Sequence, residues 1–302
     1  MTKAYAVRFG PAGVHLFDRQ NGTNILCDEL KVAPKHWSRA PRQISIALTN
    51  LCDLKCKFCY APKNVATLDS STVCRWLTEL SDHGCLGIGF GGGEPTLHPA
   101  LPFICEFATR STQLAVTLTT HGHRISDLLA GQLQGNVNFV RVSVDGVDTS
   151  YESIRGRSFP ELRDKLKLVR SISAFGINCV INRMTVGQLD KLAEFAANEG
   201  AAELLLLPQR RTNAVMNVDR STIDRLRDWI ESYRGPVPLS ISEESSAGLP
   251  IHMDSARETA IRSFVHLNAE GYLKRSSYDT WGVFVGQKSI LDSFDNLIQE
   301  ID

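Results

Sequence analysis

The chain lacks a net charge, a long apolar run and any cysteine after Cys179. Across 302 residues, 33 Lys+Arg balance 33 Asp+Glu, so the basic field that draws a protein to nucleic acid is missing. Nucleic acid is therefore not expected as the main partner, and Gln209-Arg210-Arg211 is only a local basic patch. No stretch reaches the roughly 18–20 apolar residues of a membrane helix, and the first residues, Met-Thr-Lys-Ala-Tyr-Ala-Val-Arg-Phe-Gly, hold no apolar signal core. The expectation is a cytoplasmic chain with no membrane partner. Hydrophobic residues at 43% and charged residues at 22% exclude disordered, collagenous and coiled-coil classes. Eight cysteines are too sparse for a disulfide scaffold.

Three of those cysteines are clustered, in Cys52-Asp-Leu-Lys-Cys56-Lys-Phe-Cys59-Tyr60. Thiolates this close can wrap one metal centre. A structural zinc site is closed by four ligands, usually from two separated pairs; here a second pair is missing, and no His follows Cys59 within twenty residues. Three cysteines on a four-iron cluster instead leave one iron for a substrate or cofactor. Cys27, Cys74, Cys85, Cys105 and Cys179 are isolated. Of these, Cys74, Cys85, Cys105 and Cys179 lie in helical or apolar strand stretches and read as core filling.

A second motif follows a short apolar strand, Leu86-Gly-Ile-Gly-Phe90, which runs into Gly91-Gly92-Gly93-Glu94-Pro95. Glycines at a strand end let a ligand approach the backbone. Gly-Lys-Ser/Thr is missing and Pro95 breaks dinucleotide-binding spacing, so neither a P-loop nor a Rossmann site is indicated.

Residues 42–210 alternate strands (43–49, 86–91, 114–120, 137–145, 177–183, 202–207) with helical patterns (69–82, 99–110, 124–133, 160–175, 187–199). This predicts a parallel sheet with outer helices. Along the strands, Ser45/Ala47/Thr49, Thr117/Thr119/His121, Arg141/Ser143/Asp145 and Asn178/Val180/Asn182 share one face, while Ile, Leu and Val fill the other. A polar inner face predicts a wet, ligand-sized cavity. Arg141 inside it requires an anionic partner: a substrate carboxylate or phosphate, Asp145, or another protein carboxylate. Residues 1–38 read as a hairpin with a possible third strand, 39–212 as the core, and 213–302 as a helix (220–233), a hairpin (263–267 with 272–275) and a final helix (288–300).

Cys-x3-Cys-x2-Cys, Phe58 before the third cysteine and Gly-Gly-Glu-Pro about 33 residues later together resemble the radical S-adenosylmethionine (SAM) superfamily over residues 42–210. The resemblance implies a partial (β/α)6 TIM-like barrel in the α/β class, with chemistry at the carboxyl ends of the strands. It implies that Cys52, Cys56 and Cys59 hold one [4Fe–4S] cluster whose fourth iron chelates SAM. Gly92, Gly93 and Glu94 would line the methionine moiety and Phe58 the adenine. Reductive cleavage of SAM would give a 5′-deoxyadenosyl radical that takes hydrogen from a substrate, with a flavodoxin or ferredoxin type of electron donor. Ser143-Val-Asp145-Gly through Arg155-Gly156 resembles the peptide-modifying and molybdopterin-precursor branches, which implies SAM contacts for Ser143, Asp145, Arg155 and Asn182. His121 replaces the Asn of a common Thr-Asn-Gly and, with Arg141, is a candidate for substrate contact. The expected function is a peptide maturase (crosslinking, epimerisation or a related modification). The alternatives are the same chemistry on a small metabolite and, more remotely, a non-catalytic metal-binding protein. Since no cysteine follows Cys179, the C-terminal hairpin is not expected to hold an auxiliary cluster.

Overall fold

The computed structural model describes residues 5–211, 218–241, 249, 258 and 260–300. Strands β1 (Ala6–Gly10), β2 (Gly13–Phe17) and β3 (Asn24–Cys27) form a separate three-stranded antiparallel sheet. Its anchor is Arg8, whose guanidinium donates to the carbonyls of Ala40 (2.8 Å) and Gly84 (2.9 Å) and pairs with Glu258 (2.7 Å). Ala40 and Gly84 precede the first strands of the main sheet, so the small sheet docks at the amino ends of those strands, remote from the cysteine loop.

The main sheet begins with β4 (Gln43–Thr49), β5 (Gly87–Gly92), β6 (Ala115–Thr120), β7 (Phe139–Ser143), β8 (Phe175–Ile181) and β9 (Glu203–Pro208), all parallel and neighbouring in sequence order. Helices α1 (Ser70–Asp82), α2 (Leu101–Ser111), α3 (Asp127–Leu133), α4 (Asp148–Arg155), α5 (Phe159–Ile172) and α6 (Leu189–Asn198) connect them. The period-2 pattern decides which strand face meets these helices. Ile44, Ile46, Leu48, Val116, Leu118, Val140 and Val142 are buried against them with Trp76, Leu77, Leu80, Ile104 and Leu166 in one continuous core. Cys74, Cys85, Cys105 and Cys179 are buried, and burial lifts the thiols of Cys85 and Cys105 to about 12. They are inert packing groups, as expected.

Helix α4 is absent from the sequence reading, which has no element over 148–155. The segment is eight residues long and polar overall, with Tyr151 its one buried side chain, so it is too short for a helical period to stand out in the pattern; Gly156, left-handed at φ 67°, closes it. The C-terminal part also differs from a free-standing appendage. After α7 (Arg220–Ser232), β10 (Leu239–Ile241) adds in parallel beside β9; after α8 (Ala260–Ser263), β11 (Phe264–Leu267) adds in parallel beside β4. Eight parallel strands thus stand where six were expected. β12 (Tyr272–Lys274) and β13 (Val283–Phe284) follow antiparallel, and α9 (Ile290–Gln299) packs Leu291, Phe294 and Leu297 inward. The boundary expected at 212/213 lies outside the described residues.

Candidate functional site

The loop after β4 carries the three cysteines and is pinched shut at its base. Leu68 N donates to Leu48 O (2.9 Å), Asn50 N to Ala66 O (2.8 Å), and the Thr49 and Thr67 hydroxyls meet at 2.8 Å. Cys52, Cys56 and Cys59 are half-buried and line one cavity of about 390 Å³ at the carboxyl ends of the strands. Each sulfur faces one nitrogen donor: Leu54 N at 3.4 Å from Cys52, Arg155 Nη1 at 3.6 Å from Cys56, and Lys63 Nζ at 3.1 Å from Cys59. Burial lifts the thiols of Cys52 and Cys56, while Leu54 N–H and Arg155 act against it. Three soft donors on one wall, each with an N–H directed at sulfur, fit the three-point ligation of an iron–sulfur cluster.

Gly92 and Gly93 are required by the chain's own backbone. Gly92 has φ 120°, and a Cβ there would stand 2.3 Å from Thr49 O; a Cβ on Gly93 would stand 2.2 Å from Leu51 O. That contact is used: Gly93 N donates to Thr49 O and Glu94 N to Leu51 O, both at 2.7 Å. The glycines therefore let the cysteine loop lie against the end of β5, in addition to lining the cavity. Glu94 is 1% exposed. Its Oε1 accepts from Thr96 N (3.1 Å), Thr96 Oγ1 (2.6 Å) and Thr120 Oγ1 (2.7 Å), and its Oε2 from His121 N (2.9 Å). The His121 ring also approaches Oε2, with Nε2 at 3.3 Å, and Glu94 is among the residues lining the cavity.

The remaining candidates separate into those on the cavity wall and those behind it. Phe58, His121, Arg141, Ser143 and Arg155 line the cavity. Asp145 lies behind, fully buried, accepting Val180 N at 2.7 Å and pairing with the Arg155 guanidinium. Burial disfavours the charge of Arg155, but Asp145 beside it holds its pKa above the usual value. The guanidinium also stacks 5.6 Å from the Phe58 ring. Asn182 is not on the wall: its Oδ1 accepts Met184 N (2.9 Å) and Thr185 N (3.2 Å), and its Nδ2 donates to Gln209 (3.0 Å). It caps the turn after β8, a local role that Asn prefers, and Gln209 reaches the wall in its place.

Arg141 finds its anion within the chain, in Glu203 at 3.0 Å, with Asn178 at 3.4 Å. The sequence reading left open which carboxylate that is, because Glu203 opens a different strand. It also missed Asp53. This residue follows the first cysteine, receives His121 Nε2 at 2.8 Å and pairs with Arg157 at 2.9 Å. Cys52, Asp53 and His121 have ligand atoms within 4.8 Å of one another, but the His121 and Arg157 contacts occupy Asp53. We read it as a brace between the cysteine loop, β6 and the α4–α5 turn.

A third missed contact is Ser45 to His266 Nδ1 at 2.7 Å, linking β4 to β11. Burial, with Lys274 nearby, lowers the His266 pKa to about 4, Asp279 acting against it. An unfolded histidine protonates near its ordinary value of 6.5. Between these values the unfolded chain binds the extra proton, so stability falls as pH drops from 6.5 toward 4. The expected loss is about 3 kcal/mol. Urea midpoints at pH 7 and pH 4 should show it in the native chain and not in His266→Gln; equal losses in both would remove His266 as the cause.

Such a site, a cofactor-sized cavity at the carboxyl end of a parallel α/β sheet with thiols on its rim, is that of a cofactor-dependent α/β-barrel enzyme. The family model of the Radical SAM superfamily matches residues 46–196, half of the chain, and the chain belongs to that superfamily. It is similar to the sporulation killing factor maturation protein SkfB of Bacillus subtilis (26% identical, covering 62% of this chain and 47% of SkfB). It is likewise similar to the mycofactocin maturase MftC of Mycobacterium tuberculosis (28%, 64% of this chain, 52% of MftC). A third relative is the GTP 3′,8-cyclase of Chlorobaculum tepidum (29%, 39% of this chain, 37% of the cyclase). The chain thus spans 37–52% of these relatives' lengths. Streptococcus suis SuiB bound to S-adenosylmethionine shares the fold at TM-score 0.78 and 14% identity, over 100% of this chain and 89% of SuiB.

Proposed function

We propose that this enzyme binds one [4Fe–4S] cluster through Cys52, Cys56 and Cys59, binds SAM beside it, and abstracts hydrogen from a peptide in a maturation reaction. The observation that carries the reading is the convergence of the three sulfurs, the Gly92-Gly93-Glu94 strand end and the Arg155–Asp145 pair on one cavity. When bound, the cluster and SAM supply one-electron cleavage of the sulfonium and a hydrogen-abstracting radical, with an electron from a flavodoxin- or ferredoxin-type donor. The chain's own groups bind and orient. Gly92 and Gly93 bring the backbone close to the amino-acid moiety, and Glu94, a carboxylate on the cavity wall, accepts from its ammonium. Arg155, fixed by Asp145, presents N–H groups to carboxylate or ribose oxygens, with Ser143 beside it; Phe58 offers a face to the adenine. Asn182 acts through its hydrogen bond to Gln209, which lines the cavity.

A peptide is favoured as substrate by the maturases SkfB and MftC among the relatives. A small metabolite is the second reading, supported by the match to the GTP 3′,8-cyclase. The test is anaerobic reconstitution followed by reduction with SAM. The native chain is expected to hold about four irons and release 5′-deoxyadenosine, and Cys56→Ala to lose both. One zinc per chain without SAM cleavage would refute the proposal.

A further inference from the structure

The deep part of the cavity, between the strands and below the cysteine loop, has a composition that the cofactor roles above leave unexplained. β5 reads Gly87-Ile-Gly-Phe-Gly-Gly92: Ile88 and Phe90 fill its helix-facing side, and Gly89 and Gly91 line the cavity. Gly91 is not forced by crowding. It lacks positive φ, and a Cβ there would meet Thr119 Cβ at an ordinary 3.9 Å. Its missing side chain leaves space that another residue would fill. Leu205 and Leu207 of β9 present an apolar wall to the same space. Of the described strand residues that line this cavity, Arg141 alone is a Lys or Arg, the cations Lys63, Arg155 and Arg210 lining it from outside the strands. Glu203 receives both of the Arg141 terminal nitrogens (3.0 and 3.3 Å). The remaining polar partner, Asn178, is uncharged, and His266 is held neutral by burial above about pH 4. The deep subsite therefore combines empty volume, an apolar wall and a cation already neutralised.

We propose that this subsite admits an uncharged, apolar side chain of the substrate and excludes carboxylates and phosphates, with Gly91 setting its volume and Glu203 its charge. This rests on the radical SAM peptide reading above and specifies its substrate. A charged group entering here would shed water without gaining a counter-ion, because Arg141 is taken. An aliphatic C–H group is buried favourably against Leu205 and Leu207. The step it would undergo is balanced within itself: the substrate C–H bond breaks homolytically, and the hydrogen atom passes to C5′ of the adenosyl fragment to give 5′-deoxyadenosine and a substrate carbon radical.

The probes are N-acetyl-leucinamide and N-acetyl-glutamic acid α-amide, both with deuterated side chains, offered at equal concentration to the reduced, SAM-loaded protein. The readout is the deuterated fraction of the 5′-deoxyadenosine, which does not depend on how much forms. The leucine probe is expected to exceed the glutamate probe by about tenfold, and Gly91→Val to lower the leucine fraction by about tenfold. Glu203→Gln uncovers the Arg141 charge and is expected to raise the glutamate fraction above that of the native chain. A glutamate fraction equal to or above the leucine fraction in the native chain overturns the proposal. So does a leucine fraction that Gly91→Val leaves unchanged, or that never rises above background. If cluster-loaded protein forms no 5′-deoxyadenosine at all, the radical reading itself fails, and this inference with it.

Discussion

Asp145→Ala is expected to destabilise the chain by about 3–5 kcal/mol, because it leaves the Arg155 guanidinium buried without its counter-ion. The side chain of Asp145 is 0% exposed and that of Arg155 11%, so water from the cavity side replaces the lost partner only in part. The same change removes the acceptor of Val180 N, a bond that ties the segment after β7 to β8. Urea unfolding measures the loss, and Asp145→Ala combined with Arg155→Met separates its causes. Removing both charges should restore more than half of the stability, since an apolar pair in a buried site costs little relative to an ion pair. A double variant as unstable as the single one would place the effect in the Val180 bond alone. Arg155 also faces Cys56 and the Phe58 ring, so the single variant is further expected to lower iron retention after reconstitution.

Gly93→Ala is the second large effect. Its Cβ would lie 2.2 Å from Leu51 O and 2.6 Å from Asn50 O, both backbone atoms that no rotamer change can move. The cysteine loop must shift to make room, which strains or breaks the bonds from Gly93 N to Thr49 O and from Glu94 N to Leu51 O. Overpacking of this kind costs about 3 kcal/mol. The loss of loop position is expected to lower iron content as well. Gly91→Ala, two residues earlier and inside β5, is the control. Its nearest neighbour at 3.9 Å leaves room, so its stability should stay close to native. Equal losses at both positions would remove the loop contact as the cause of the Gly93→Ala effect.

These two glycines illustrate how far the sequence could be read. The reading assigned the Gly-Gly-Glu segment to a close approach, with a ligand as the approaching party. In the structure the cysteine loop approaches as well, and a motif gives no means of seeing that. Strand faces were legible because a period of two places Ile44, Ile46 and Leu48 against helices and Ser45 and Ala47 toward the cavity whatever the wider topology. Helix α4 was illegible because eight mostly polar residues are fewer than the window over which a helical period stands out. β10 and β11 were not recognised as parts of the main sheet because short strands show no partner in their own sequence.

The sequence by itself determined the class. Cysteine spacing and a glycine–carboxylate strand end within one alternating α/β stretch are local patterns, and local patterns survive in one dimension. Only the tertiary structure decided which polar and charged groups oppose which. Arg141 and Glu203 are 62 residues apart, His121 and Asp53 68, and Ser45 and His266 221. Strand order makes each of these pairs neighbours. Whether a buried charge is compensated by the chain or left for a ligand depends on that neighbourhood, because the attraction acts through space and takes no account of sequence separation.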